Sequence, residues 1–353
     1  MVNHTTKELR ELVPKLREKG FYTPQNMRKI NWNAYTTNQI NDIVGTLHFI
    51  RDEVDKVYTP PKKNGVGRPP TNVGSLVKAI LFIELFHIPE RKAEGWIILI
   101  GAHLGIYERI DDRVIGKSYQ KPEVRGVLRK VFENNKSSDG AMSGDGSGME
   151  CSRKENYESS KKKGKCYLTS IVDSREIVQE FDTSGKQECQ VMHILVKNLK
   201  EALKKPVNEA LSKIRLTLDA GFVDKKLAQL IEDAGIEPFI FPKKNNTVKA
   251  KGSWAWTRMV NKLIDNVQEW LKEYHVRSHA ESFHSSIKRV FGVVTKRLDF
   301  TINTQILARI IHNKRRKTNY HQLISPTGLI YTQSPYAANK KIVIKKNGNC
   351  SAF

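Results

Sequence analysis

"IRLTLDAGFVDKKLAQLIEDAGIEPFIFPKK", Ile214 to Lys244, decides the fold. Ile214, Leu216 and Leu218 alternate with other residues over a short run, the period of a strand with one buried face. Leu227, Leu230, Ile231 and Ala234 then recur at i, i+3, i+4 and i+7, the stripe of an amphipathic helix, and Gly235 stands at its stop position. "EPFIFPKK" is the next strand. Upstream, "CYLTSIVDSREIVQEFDTS" reads as two β-runs around a turn at Asp173–Arg175, and "ECQVMHILVKNLKEAL" as a helix. The order predicts an α/β fold: a mixed sheet covered by helices.

Before this region the texture is different. Thr6 to Lys19 reads as a short helix with Leu9, Leu12 and Leu16 on one stripe. "TPPKKNGVGRPPTN", Thr59 to Asn72, reads as a basic Pro/Gly-rich linker. Val73 to Ile106 is helical and strongly apolar, and "KPEVRGVLRKVFENN" is one more basic helix. Pattern alone leaves open whether this region holds a DNA-reading helix-turn-helix or is a packing domain. "NNKSSDGAMSGDGSGM" is rich in Gly and Ser and reads as a boundary. The expected division is a helical DNA-binding region over 1–138, an α/β domain over 139–321 and a basic tail over 322–353, where "KKIVIKK" is either an edge strand or part of the tail.

The chain has 353 residues, 60 Lys plus Arg against 37 Asp plus Glu, and a formal charge of +23. Such an excess points to a polyanion, because Lys and Arg displace counterions from phosphate backbones. Cys151, Cys166, Cys189 and Cys350 form no CxxC pair, so they read as free thiols of a reducing compartment, and a zinc site is not expected. The polar, charged opening "MVNHTTKELRELVPKLREKG" does not read as a signal peptide, and none is expected. The longest apolar run, "AILFIELFHI", is too short to span a bilayer and contains Glu84. A cytoplasmic protein without a membrane partner is expected.

Three acids stand out by position. Asp145 lies in "SGDGSGM", Asp219 at the end of "IRLTLDAG", and Glu281 in "YHVRSHAESFHSSIKRVFG", Tyr274 to Gly292. On a helical wheel, Tyr274, Arg277, Glu281 and Lys288 share a face about 60° wide. Val276, Ala280, Phe283, Ile287, Val290 and Phe291 form the apolar stripe. A plain surface helix explains the charges through i, i+4 pairs such as Arg277 with Glu281. A joint reason also covers the aspartates: carboxylates on neighbouring elements hold a pair of Mg²⁺ ions, with Mn²⁺ as a substitute, while basic residues on the same face grip a phosphodiester. Trp254 and Trp256, in "KGSWAWTR", read as packing residues rather than base-stacking ones.

The spacing Tyr274-x2-Arg277-x3-Glu281-x6-Lys288 resembles the Y-R-E-K pattern of prokaryotic insertion-sequence transposases of the DDE superfamily. "LTLDAGFVDKKLAQLIEDAGIEPFIFPKKN" is similar to that family's second-aspartate region, and "DGSGM" to its first. The resemblance implies a ribonuclease-H-like catalytic domain, with Asp145, Asp219 and Glu281 as catalytic ligands of two Mg²⁺ ions. It implies that Tyr274, Arg277 and Lys288 contact double-stranded DNA, and that a homodimer on paired ends, associated with the nucleoid, cuts transposon ends and joins them to a target. Gln187 and Glu188 stand where the family often has a His-Asp pair. That departure keeps a second class open, a catalytically inactive or repurposed DNA-binding relative. A nuclease without strand transfer would use the same carboxylates.

Overall fold

A computed structural model describes residues 4–23, 30–61, 70–134, 138–154, 163–185, 187–203 and 214–325. Residues 326–353 of the expected tail, with "KKIVIKK", lie outside them, as do most of the Pro/Gly-rich loop at 62–69 and of the basic run at 155–162. The helices before the sheet are α1 (Thr6–Leu16), α2 (Trp32–Ile40), α3 (Asp42–Val57), α4 (Val73–Phe86), α5 (Glu90–Ile100), α6 (Asp112–Ser118) and α7 (Pro122–Asn134). There follow β1 (Ala141–Lys154), β2 (Lys163–Asp173), β3 (Val178–Asp182), α8 (Glu188–Leu203), β4 (Arg215–Leu218), α9 (Lys225–Asp233) and β5 (Glu237–Ile240). Four helices close the described residues: α10 (Trp254–Asp265), α11 (Val267–Tyr274), α12 (Ser278–Phe291) and α13 (Asp299–Ile324).

The five strands lie in the order β3-β2-β1-β4-β5. The first three pair antiparallel, and β4 and β5 run parallel to β1. This is the mixed sheet that the alternation of residues 166–240 predicts. One difference is instructive. The Gly/Ser-rich segment read as a boundary contains the first part of β1, the central strand, from Ala141 to Met149. Its glycines are required by close packing: a Cβ on Gly144 would lie 2.6 Å from Leu218 Cδ2 and 2.7 Å from Met192 Cε. The apolar cover of this strand therefore belongs to its neighbours, which is why it lacks the hydrophobic signature of a buried strand. Gly144→Ala should destabilise the protein by about 1–3 kcal/mol through overpacking. An unchanged urea midpoint in that variant would contradict this packing.

Each sheet face has its own core. On one, Met142, Ile171, Leu216 and Leu218 meet α8, α9, α10 and α11, and Leu9 and Val13 of α1 join them. Trp256 is fully buried there, as a packing residue should be, whereas Trp254 is 74% exposed. On the other face, Met149, Leu168, Val172 and Phe181 meet α12 and α13 together with α3, α4 and α7. Helices α3 to α7 thus share a core with α12 and α13. Helix α4 is buried on every side from Gly74 to Glu84, so it is a packing helix and presents no surface to a DNA groove. No helix among the described residues is long and apolar enough to cross a membrane.

Candidate active site

Strand register brings the two aspartates together. Gly144 of β1 pairs in parallel with Leu218 of β4, so the next residues, Asp145 and Asp219, stand side by side where β4 ends. Asp219 caps the short 3-10 turn Ala220–Phe222 and accepts from the Ala220 N–H at 2.6 Å. Residues Ser143, Asp145 and Ser147 alternate onto the face where α12 lies. The His284 Nε2–H donates to the Asp145 carbonyl at 3.3 Å, and the Lys288 ammonium donates to Ser147 Oγ at 2.6 Å. Successive turns of α12 therefore follow β1 residue by residue.

Tyr274 to Gly292 is not one helix. Tyr274 ends α11, a 3-10 turn spans His275–Arg277, and α12 begins at Ser278. Tighter winding in the turn reorients α12 relative to α11. The Tyr274 ring is stacked on Trp270, with centroids 5.0 Å apart and an interplanar angle of 14°. Even so, Tyr274 and Arg277 remain close enough to the acids to share their field. The apolar stripe behaves as the wheel predicts, with Ala280, Phe283, Ile287 and Phe291 buried.

Arg277 is the hub. Its guanidinium pairs with Glu281 at 2.5 Å, the expected i, i+4 contact, and reaches Asp219 at 4.0 Å. Burial alone would lower the Arg277 pKa, but Tyr274, Glu281, Asp219 and Asp145 outweigh it and the net direction is up. Asp145 goes the other way for a carboxylate. Burial pushes it up to about 6, and Glu281 and Glu188 add to that, against the Gly146 N–H and Arg277. Asp219 and Glu281 thus flank Arg277, and Asp145 lies within reach of its charge. As a set they are not drawn within 4.8 Å of one another among the described residues. Lys288 stands apart, two turns along at about 10 Å on the helix axis. A polar groove beside Glu281 is lined by Ser282, Ser285, Ser286, Arg289 and Lys317.

Two further neighbours border the site: Glu188, marked in sequence only as a departure from the family's His-Asp pair, and His284, which sequence did not mark. Glu188, the first residue of α8, fills the space that a Cβ on Gly146 would occupy, 2.5 Å from its Cδ. Only the Gly at 146 hinted at this approach. His284 is buried between Ser170 and the Asp145 carbonyl, and burial lowers its pKa to about 4, so the ring is neutral near pH 7. It positions β1 against α12. The carboxylate oxygens around Arg277 are the ligand type that a hard divalent cation prefers. A desolvated Asp145 beside further acids is an arrangement that such a cation relieves.

An antiparallel hairpin continued by parallel strands, with acids at the end of β4 and on a helix across the same face, defines a ribonuclease-H-like domain. Residues 140–311 match the model of the transposase DDE domain. With the relative described next, this match supports an insertion-sequence transposase of the DDE superfamily. The chain is 27% identical over 252 residues to the probable transposase for insertion sequence element ISA1214 of Archaeoglobus fulgidus, a match covering 69% of this chain and 73% of that protein. No solved structure matches the chain.

Proposed function

We propose that this transposase cuts the ends of its element and joins them to target DNA, using Asp145, Asp219 and Glu281 to hold two Mg²⁺ ions. What supports this reading is the side-by-side register of Asp145 and Asp219, with Glu281 tied to them through Arg277. Two divalent ions so bound supply charge stabilisation to the attacking and leaving oxygens of an in-line displacement at phosphorus. The chain's own side chains divide the remaining work. Arg277 offers a planar fork that suits paired phosphate oxygens, and its exchange from carboxylate to phosphate frees the acids. Tyr274, held by its stack on Trp270, presents its hydroxyl beside the same acids without becoming mobile. Lys288, a point charge further along α12, grips a flanking phosphate. Neutral His284 keeps the Asp145 backbone fixed while charge changes in front of it.

The test uses the full chain with duplexes carrying the DNA that flanks its gene, in Mg²⁺ or Mn²⁺. Cutting at defined ends, followed by joining of pre-cut ends, is the expected result. Glu281→Gln and Asp219→Asn should abolish both while leaving salt-sensitive DNA binding in place. Tight binding with no cutting in either metal overturns the proposal in favour of a DNA-binding relative without chemistry. Cutting without joining reduces it to a nuclease.

A further inference from the structure

Behind the sheet, on the face away from α12, three side chains of different chemistry converge. Cys189 and His193 lie one turn apart on the same side of α8, at i and i+4. Asp224 is the N-cap of α9. One ligand atom from each of the three lies within 4.8 Å of the others. Asp224 uses Oδ1 to accept from the Lys226 N–H at 2.9 Å, and Oδ2 to contact His193 Nε2 at 2.8 Å. The carboxylate is thus fixed by its capping role, with its second oxygen turned towards α8. All three residues are partly buried.

We propose that Cys189, His193 and Asp224 form a zinc site that ties the start of α8 to the start of α9. Spacing in the sequence does not announce it: no CxxC is present, and Asp224 lies 31 positions beyond His193. The helix provides the first two ligands, and the α8–α9 packing provides the third. Sulfur, imidazole and carboxylate together select a borderline cation such as Zn²⁺ over Mg²⁺. A tetrahedral ion with Zn–S about 2.3 Å and Zn–N about 2.0–2.1 Å places its ligand atoms about 3.3–3.7 Å apart. To reach that spacing the His193–Asp224 pair opens from 2.8 Å while the Cys189 sulfur stays within 4.8 Å of both, and water completes the fourth position.

The protonation chemistry is consistent with a metal that must compete for its ligands. Burial raises the Cys189 thiol, Asp224 adds to this, and Lys243 opposes it. Binding the ion expels the thiol proton to solvent, and His193 enters as the neutral ring. Asp224 is already held below the usual carboxylate range: burial pushes it up, but His193 and the Lys226 and Leu227 N–H groups outweigh burial. It is therefore ionised and ready to ligate. The consequence reaches the other face. Cys189 follows Glu188, which packs against Gly146 next to Asp145, and Asp224 comes directly after the turn that Asp219 begins and Val223 ends. An ion here restrains both segments that flank the two aspartates, without being part of the site around Arg277.

Co²⁺ is the probe, because a thiolate bound to it gives a charge-transfer band in the near ultraviolet that carboxylates do not. The full chain should show this band with one equivalent of Co²⁺, lose it when Zn²⁺ is added, and melt at a higher temperature with Zn²⁺ than with Mg²⁺. Cys189→Ser and His193→Ala should each weaken Co²⁺ binding by about 100-fold or more and remove the Zn²⁺ effect on melting. Asp224→Asn keeps the helix cap and should weaken binding less. Glu281→Gln should keep the band, which separates this site from the acids around Arg277. Far-ultraviolet dichroism shows whether each variant is folded. Absence of the band in the unaltered protein, or its persistence in folded Cys189→Ser, overturns the assignment.

Discussion

Asp145→Asn is expected to abolish cleavage of DNA ends and, at the same time, to stabilise the fold at neutral pH. Loss of a carboxylate that the reaction depends on should cost about 10³-fold or more in rate. The gain in stability follows from the pKa. Burial raises the Asp145 carboxyl from its ordinary 3.8 to about 6 in the folded protein. A raised acid binds its proton more tightly folded than unfolded, so ionisation penalises the fold. That penalty is absent below the unfolded value near pH 4, grows as pH rises towards 6, and is complete above it. The displacement corresponds to about 3 kcal/mol, and screening of a partly exposed group reduces the expected gain to about 1–2 kcal/mol. Asn, being uncharged, escapes the penalty. Urea unfolding of both proteins at a series of pH values checks this: the variant should be the more stable at pH 7 and no more stable than the parent at pH 4. Equal stability at pH 7, or a gain that does not vary with pH, would show that Asp145 is not a strained carboxylate.

The second large effect concerns Glu84, the one acid in the apolar run "AILFIELFHI". It is buried on α4, and α13 answers it from across the core. Glu84 Oε2 takes the Arg309 Nε–H at 2.9 Å, and Oε1 takes the Tyr119 hydroxyl at 2.7 Å and the Gln305 amide at 2.8 Å. The Glu84 and Arg309 side chains are only 7% and 3% exposed. Glu84→Ala strands a buried guanidinium, together with a hydroxyl and an amide, and should destabilise the protein by about 3–5 kcal/mol. Arg309→Met alone strands the carboxylate and should cost a similar amount. Glu84→Leu combined with Arg309→Met should recover most of the loss, since an apolar pair of similar volume removes both charges. A single substitution costing less than about 1 kcal/mol would mean that water reaches this pair. Because the network joins α4 to α13, it also fastens the helices before Asn135 to the layer that carries Arg277 and Glu281.

Much of this was legible in sequence, and the parts that were not share a cause. Alternation and 3.6-residue periodicity are local, so the strands and helices from Cys166 to Ile240 and the apolar stripe of α12 can be read directly from residue order. The row Arg277, Glu281, Lys288 follows from the same wheel. Strand β1 cannot be read this way, because its burial is supplied by Leu218, Met192 and Glu188 leaning over glycines that carry no signal of their own. Nor does the wheel reveal the 3-10 turn at His275–Arg277, which alters how Tyr274 and α12 are set without altering composition.

What the sequence by itself determined is the set of elements, their polarity patterns and a strongly basic chain whose acids fall at particular strand and helix positions. Only the tertiary structure decided which of them meet: Asp145 beside Asp219 through parallel register, Glu84 opposite Arg309, and Cys189 and His193 against Asp224. The physical reason is range. Propensity and amphipathicity act over a few residues, whereas a cluster of charges or ligands forms where strand pairing and helix packing bring distant segments within a few ångströms.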